Sequence, residues 1–111
     1  MTSEVVLIGS DMLGAPDPQL GGVLMGNFLR LMGDRDELPS YIILWNGGVR
    51  LAAVDSAHLD HLKRLQQRGV SIILCRTCVE YFGLDDKVDA GEIDGMVRIQ
   101  DILFSHKVLT V

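Results

Sequence analysis

Two thiols spaced as Cys75-Arg76-Thr77-Cys78 are the residues in this chain best suited to covalent chemistry. They follow the apolar run Val70-Ser71-Ile72-Ile73-Leu74, which reads as a strand, and they open a stretch that reads as a helix ending near Gly83. In an open α/β sheet, reactive groups gather beyond the carboxyl ends of the strands. A thiol placed there faces the unpaired N–H groups of the following helix, and Arg76 adds a positive charge. Both favour the thiolate, which is the form of cysteine that attacks. Cys75 is the expected nucleophile. Cys78, one helical turn later, can face it and resolve an adduct by forming a disulfide. The plainer alternative is that both thiols are small core hydrophobes, as free cysteines often are.

Ser10-Asp11 follows the apolar run Val5–Ile8, and Asn46-Gly47-Gly48 follows the run Tyr41–Trp45. A parallel sheet brings both to the same edge as Cys75. Asp11 can accept a hydrogen bond, and Asn46 can orient a loop or donate to a sulfur or an oxyanion. Asn and Gly also make ordinary turns, and both readings stay open. A thioredoxin-like site is disfavoured, because it needs a proline after the motif and Pro16, Pro18 and Pro39 all precede it. A single C-x-x-C supplies two of the four ligands of a structural zinc. His58 and His61, spaced i, i+3 beside Asp60, fit a solvated helix face better than a metal site, and His106 reads as structural or exposed. No P-loop, no dinucleotide fingerprint and no Ser-His-Asp set is present. The chain therefore calls for no cofactor and no metal.

These residues need a frame. The 111 residues are 48% hydrophobic and 23% charged, enough for a real core, and only 5% aromatic, so aliphatic packing must fill it. The net charge of −5 argues against nucleic acid as a partner. No apolar run approaches the length of a membrane helix, and Met1-Thr2-Ser3-Glu4-Val5 has no secretory pattern. With two cysteines, this points to a reducing, cytoplasmic setting. Strands are expected at 5–8, 41–45, 70–74 and 108–111, mostly unbroken apolar runs of the kind buried on both faces of a parallel sheet. A first helix is capped by Asp17 with Pro18 in its first turn, and Leu20, Leu24, Phe28 and Leu31 form its inward face. A second runs from a Ser56 cap through Leu59, Leu62 and Leu65 to Gly69. A fourth spans Met96 to Phe104 with Met96, Ile99 and Leu103 inward. The segment Val49–Val54 fits either a short strand or a turn of helix. The alternation predicts one doubly wound α/β domain with a mostly parallel sheet and helices on both faces.

In order along the chain, Ser10-Asp11 with Gly14, Leu20-Gly21, Leu24, Phe28-Leu29, Pro39, Asn46-Gly47-Gly48-Val49 with Leu51, Gly69-Val70, Cys75-Arg76-Thr77-Cys78, Gly83-Leu84, Gly91 and Met96 resemble the DsrE/DsrF-like sulfur-relay family. The likeness is greatest to the DsrE-like domain at the C-terminal end of YedF-type proteins, linked to sulfur or selenium metabolism. It covers 1–111 as one DsrE-like domain and implies a flavodoxin-like fold. It also implies a sulfur carrier, or persulfide sulfurtransferase, that holds sulfur as a cysteine persulfide and passes it between protein donors and acceptors, commonly as a homo-oligomer. Cys75, with Gly83 eight positions on, matches the family's reactive cysteine. Arg76, Thr77, Ser10, Asp11, Asn46 and Gly47 are the positions that would bind or stabilise the persulfide. Arg76 stands where the family often has glycine, and Gly95 where it often has asparagine. The rival reading is a non-catalytic oligomeric or redox-sensing module with structural thiols.

Overall fold

The computed structural model describes residues 3–111; Met1 and Thr2, the start of the stretch read for a secretory signal, lie outside them. Five strands form one sheet: β1 (Val5–Ile8), β2 (Tyr41–Leu44), β3 (Ser71–Cys75), β4 (Glu92–Asp94) and β5 (Val108–Thr110). Their order is β4-β3-β2-β1-β5 and every pairing is parallel. This is the flavodoxin-like α/β architecture that the strand–helix alternation predicts.

The pleat sorts side chains onto two faces with period two. Val6, Ile8, Ile42, Leu44, Ile72 and Leu74 face one core, shared with α1 (Pro18–Met32), α2 (Leu59–Gln67) and Val79 of α3 (Arg76–Tyr81). Val5, Leu7, Ile43, Ile73 and Cys75 face the other core, which Ile99 and Ile102 of α4 (Met96–Ser105) close. The parity of β3 therefore decides where Cys75 points: into the α4 side of the sheet.

α1 starts as expected, with Asp17 accepting a hydrogen bond from the Leu20 amide at 3.0 Å and Pro18 at its first position. Its inward face is not the expected one. Gly21, Met25, Leu29 and Met32 are buried, while Leu20, Leu24 and Leu31 are exposed and Phe28 is half-buried. Both rows share the same spacing, so periodicity alone does not choose between them. Close approach does: a Cβ at Gly21 would lie 2.9 Å from the Met12 Cβ, and only the row containing Gly21 seats the helix on the preceding loop.

The stripe Leu59, Leu62 and Leu65 is buried as expected, and Gly69 takes a φ of +97° just beyond α2. The helix starts later than the Ser56 cap implied. His58 is the capping residue, and Ser56 Oγ accepts a hydrogen bond from the His58 amide. On α4, Ile99 and Ile102 are buried, Leu103 is half-buried and the expected inward Met96 is exposed. The run at 108–111, the one without an unbroken apolar pattern, is an edge strand with all three β5 residues exposed. β4 carries one apolar residue between two acids and gave no sequence signal. Arg98 holds its ends, at 3.1 Å from Glu92 and 3.0 Å from Asp94. No helix among the described residues is long and apolar enough to cross a membrane.

Candidate functional site

Because the sheet is parallel, the segments after β1, β2 and β3 all emerge at its carboxyl edge. The segment after β2 settles the ambiguous stretch. It is a 3-10 helix, η1, over Asn46–Ala52. Asn46 has a φ of +50°, a left-handed conformation that asparagine tolerates better than most residues, and its Oδ1 accepts a hydrogen bond from the Gly47 amide at 2.8 Å. Gly48 is required: a Cβ there would collide with the Ile8 carbonyl oxygen. Together these residues press the start of η1 against the end of β1 and turn the Asn46 amide toward α3.

That amide donates to Cys78 Sγ at 3.0 Å. Cys78 is half-buried and lines an open depression of 380 Å³ with Asn46, Thr77, Tyr81 and Phe82. The expected order of access is reversed. Cys75, taken from the sequence as the reachable nucleophile, is only 3% exposed, packed with Val5, Leu7, Ile43, Ile73, Ile99 and Ile102. Strand parity is the cause, since the last residue of β3 turns its side chain under α4 while Cys78, in the first turn of α3, lies at the edge of both cores and borders the depression. The two thiols remain neighbours, with Cys75 within hydrogen-bonding reach of Cys78. Burial pushes the Cys78 thiol above its ordinary range, the Cys75 hydrogen bond adds to the rise, and the Asn46 amide opposes both. Among the described residues, the reduced pair rests with Cys78 protonated at neutral pH, next to a donor that favours the anion once it forms.

Of the other expected residues, Thr77 lines the depression and Asn46 reaches it through its backbone. Gly47 packs beside Ser10, where a Cβ would sit 3.7 Å from the Ser10 Cα. Ser10 and Asp11 do not join the thiols. Ser10 Oγ accepts from the Met12 amide at 3.1 Å, and Asp11 lines a separate cleft with Arg50, Asp55, Ser56 and His58. Arg76 is exposed, and its charge is felt by Asp94 across the β3–β4 edge. The His58 and His61 rings stack 6.2 Å apart, and no three His, Cys, Asp or Glu side chains among the described residues converge on a metal position. His106 hydrogen-bonds the Ile102 carbonyl at 2.7 Å and meets the Tyr41 ring edge-on.

Sequence reasoning missed Tyr81, Phe82 and Arg50. Phe82 lies four residues after Cys78, so the helical repeat puts it on the same side, and its amide bonds the Cys78 carbonyl. Tyr81 is 83% exposed and meets Phe82 edge to face at 5.2 Å. Arg50, four residues after Asn46 on η1, places its guanidinium 4.1 Å from the centre of the Phe82 ring.

No family profile matches the chain, and no curated protein matches it. Solved structures do. The ychN protein from E. coli superposes with a TM-score of 0.71 at 21% identity, over 99% of this chain and 100% of that one. MTH1491 from Methanobacterium thermoautotrophicum, described as a protein of unknown function, gives 0.68 at 20% identity over 96% of each chain. BT1422 from Bacteroides thetaiotaomicron, likewise of unknown function, gives 0.65 at 18% identity over 96% of this chain and 93% of that one. At these identities the likeness shows a shared fold.

Proposed function

We propose that the chain is a DsrE/DsrF-like sulfur carrier in which Cys78 takes up sulfur and Cys75 stands behind it. The observation that carries this reading is the Cys78 sulfur itself, open to a depression and met by the Asn46 amide at 3.0 Å. The order of motifs along the chain and the fold shared with the ychN protein support it. In the forward step, Cys78 thiolate bonds to the outer sulfur of a donor persulfide. The donor's S–S bond breaks, its inner sulfur leaves as a thiolate, and Cys78 keeps the outer sulfur as a persulfide. An acceptor thiolate then bonds to that outer sulfur and Cys78 thiolate leaves. Alternatively, Cys75 attacks Cys78 Sγ, hydrosulfide departs, and a Cys75–Cys78 disulfide remains for a dithiol to reduce. The Asn46 amide stabilises the anionic sulfur in either course. Selenium fits the same chemistry.

The donor and acceptor would be proteins or small thiols reaching the depression, and the chain would work as a homo-oligomer in a reducing, cytoplasmic setting. Incubating the reduced protein with a persulfide donor and taking intact and peptide masses tests the reading. One added sulfur on Cys78, retained in Cys75→Ser and lost in Cys78→Ser, is the expected result. No adduct on either thiol would overturn it. The burial of Cys75 favours a second reading, an interaction module with structural thiols, which predicts that both cysteines resist alkylation in the folded state.

A further inference from the structure

Arg50 places a positive charge against Phe82, which walls the thiol depression, and no anion among the described residues pairs with it. Three other arginines are engaged: Arg64 with Asp34, Arg98 with Glu92 and Asp94, and Arg68 with the Gly33 and Arg35 carbonyls. Among the described residues, no carboxylate lies within ion-pairing distance of Arg50, although Asp11 and Asp55 line the cleft that it borders. Its guanidinium lies on the face of Phe82. A guanidinium lying on a ring keeps its N–H groups free at its rim, where they match the paired oxygens of a carboxylate or sulfonate.

The placement is built from two rungs between the same two elements. Asn46 of η1 donates to Cys78 of α3, and four residues on along each, Arg50 of η1 stacks on Phe82, the residue that caps α3. One rung addresses the sulfur; the other sets a positive charge behind the ring that walls the same depression. The stack divides this depression from the 490 Å³ cleft beside it, so a ligand with its sulfur at Cys78 can cross the Phe82 ring and end at Arg50.

We infer that Arg50 is a specificity-determining residue that selects sulfur donors carrying a carboxylate or sulfonate a few bonds from the transferable sulfur. This rests on the sulfur-carrier reading above. The step itself is unchanged: Cys78 Sγ bonds to the outer sulfur, the donor S–S bond breaks, and its electron pair leaves on the donor thiolate, whose acid group Arg50 has held.

Two measurements separate this inference from the reading beneath it. The first needs no sulfur transfer. Cys78 is alkylated with iodoacetate, which is anionic, and with iodoacetamide, which is neutral. The ratio of the two rates is expected to fall about fivefold in Arg50→Gln. It should fall less in Arg50→Lys, which keeps the charge without the flat face, and stay put in Arg35→Gln, which removes the same charge from an exposed site before β2. An unchanged ratio in Arg50→Gln, or an equal fall in Arg35→Gln, overturns the inference. The second compares glutathione persulfide with its diethyl ester as donors. The free acid should load Cys78 faster, with the preference lost in Arg50→Gln. Equal loading by both in the wild-type protein overturns the substrate class. Loading by neither, with the alkylation ratio still dependent on Arg50, overturns the sulfur-carrier reading and leaves Arg50 as an anion site.

Discussion

The backbone amide of Asn46 meets the sulfur of Cys78 at 3.0 Å, across a sequence separation of 32 residues. A main-chain donor is set by the fold and survives most side-chain changes at its own position. Its direction depends on the left-handed turn at Asn46 and on the close seat of Gly48 against β1.

That seat gives a first prediction. Gly48→Ala forces a methyl group into the Ile8 carbonyl and should lower stability by about 1–3 kcal/mol, read from the urea midpoint. It should also shift η1 and change the alkylation rate of Cys78. A midpoint equal to that of the wild type would show that the approach is not tight.

The two thiols should differ in reach. Under native conditions iodoacetamide is expected to modify Cys78 and spare Cys75, with peptide masses as the readout. Equal modification of both, in protein shown to be folded, would contradict the burial of Cys75.

Reactivity at Cys78 should rise with pH. Its thiol is held above the ordinary range, first by burial and then by Cys75, so the thiolate fraction is small at neutral pH. The alkylation rate is expected to climb through the alkaline range, with its midpoint above that of a free cysteine. In Cys75→Ala, which removes one of the raising contacts, the midpoint should move down. A midpoint below that of a free cysteine would reverse the sign of this argument.

The two faces of α1 can be told apart by truncation. Met25→Ala, at a fully buried site, should cost about 2–5 kcal/mol, whereas Leu24→Ala, 40% exposed, should cost under about 1 kcal/mol. Paired urea unfolding curves decide it, and the reverse order would restore the face that hydrophobic spacing alone suggested.

Four of the five strands and most helix limits were legible because aliphatic runs, Asp17-Pro18 and Gly69 are local signals with local causes. The α1 face was not, because Leu20, Leu24 and Leu31 repeat with the same period as Met25, Leu29 and Met32, and the choice lies in one glycine's contact with Met12. β4 escaped because Glu92-Ile93-Asp94 is held as much by Arg98 as by its own composition. At the site, the pairing of the C-x-x-C motif with the Asn-Gly-Gly turn was legible from the strands each follows. The ranking of the two thiols was not. It turns on whether the last residue of β3 falls on an odd or an even position of the pleat, a matter of register that needs the paired strands. Phe82 sits one helical turn beyond Cys78 and Arg50 four residues beyond Asn46, and only the packing of η1 on α3 brings them together.

The burial of Cys75 behind Cys78 also imposes a chronology. An oxidant or electrophile arriving from solvent encounters the outer sulfur first, and the inner one sees it only as a bond already made. A sulfenic acid at Cys78 would be trapped at once by its neighbour, so oxidative stress should stall the pair at a reducible bridge, short of irreversible sulfinate.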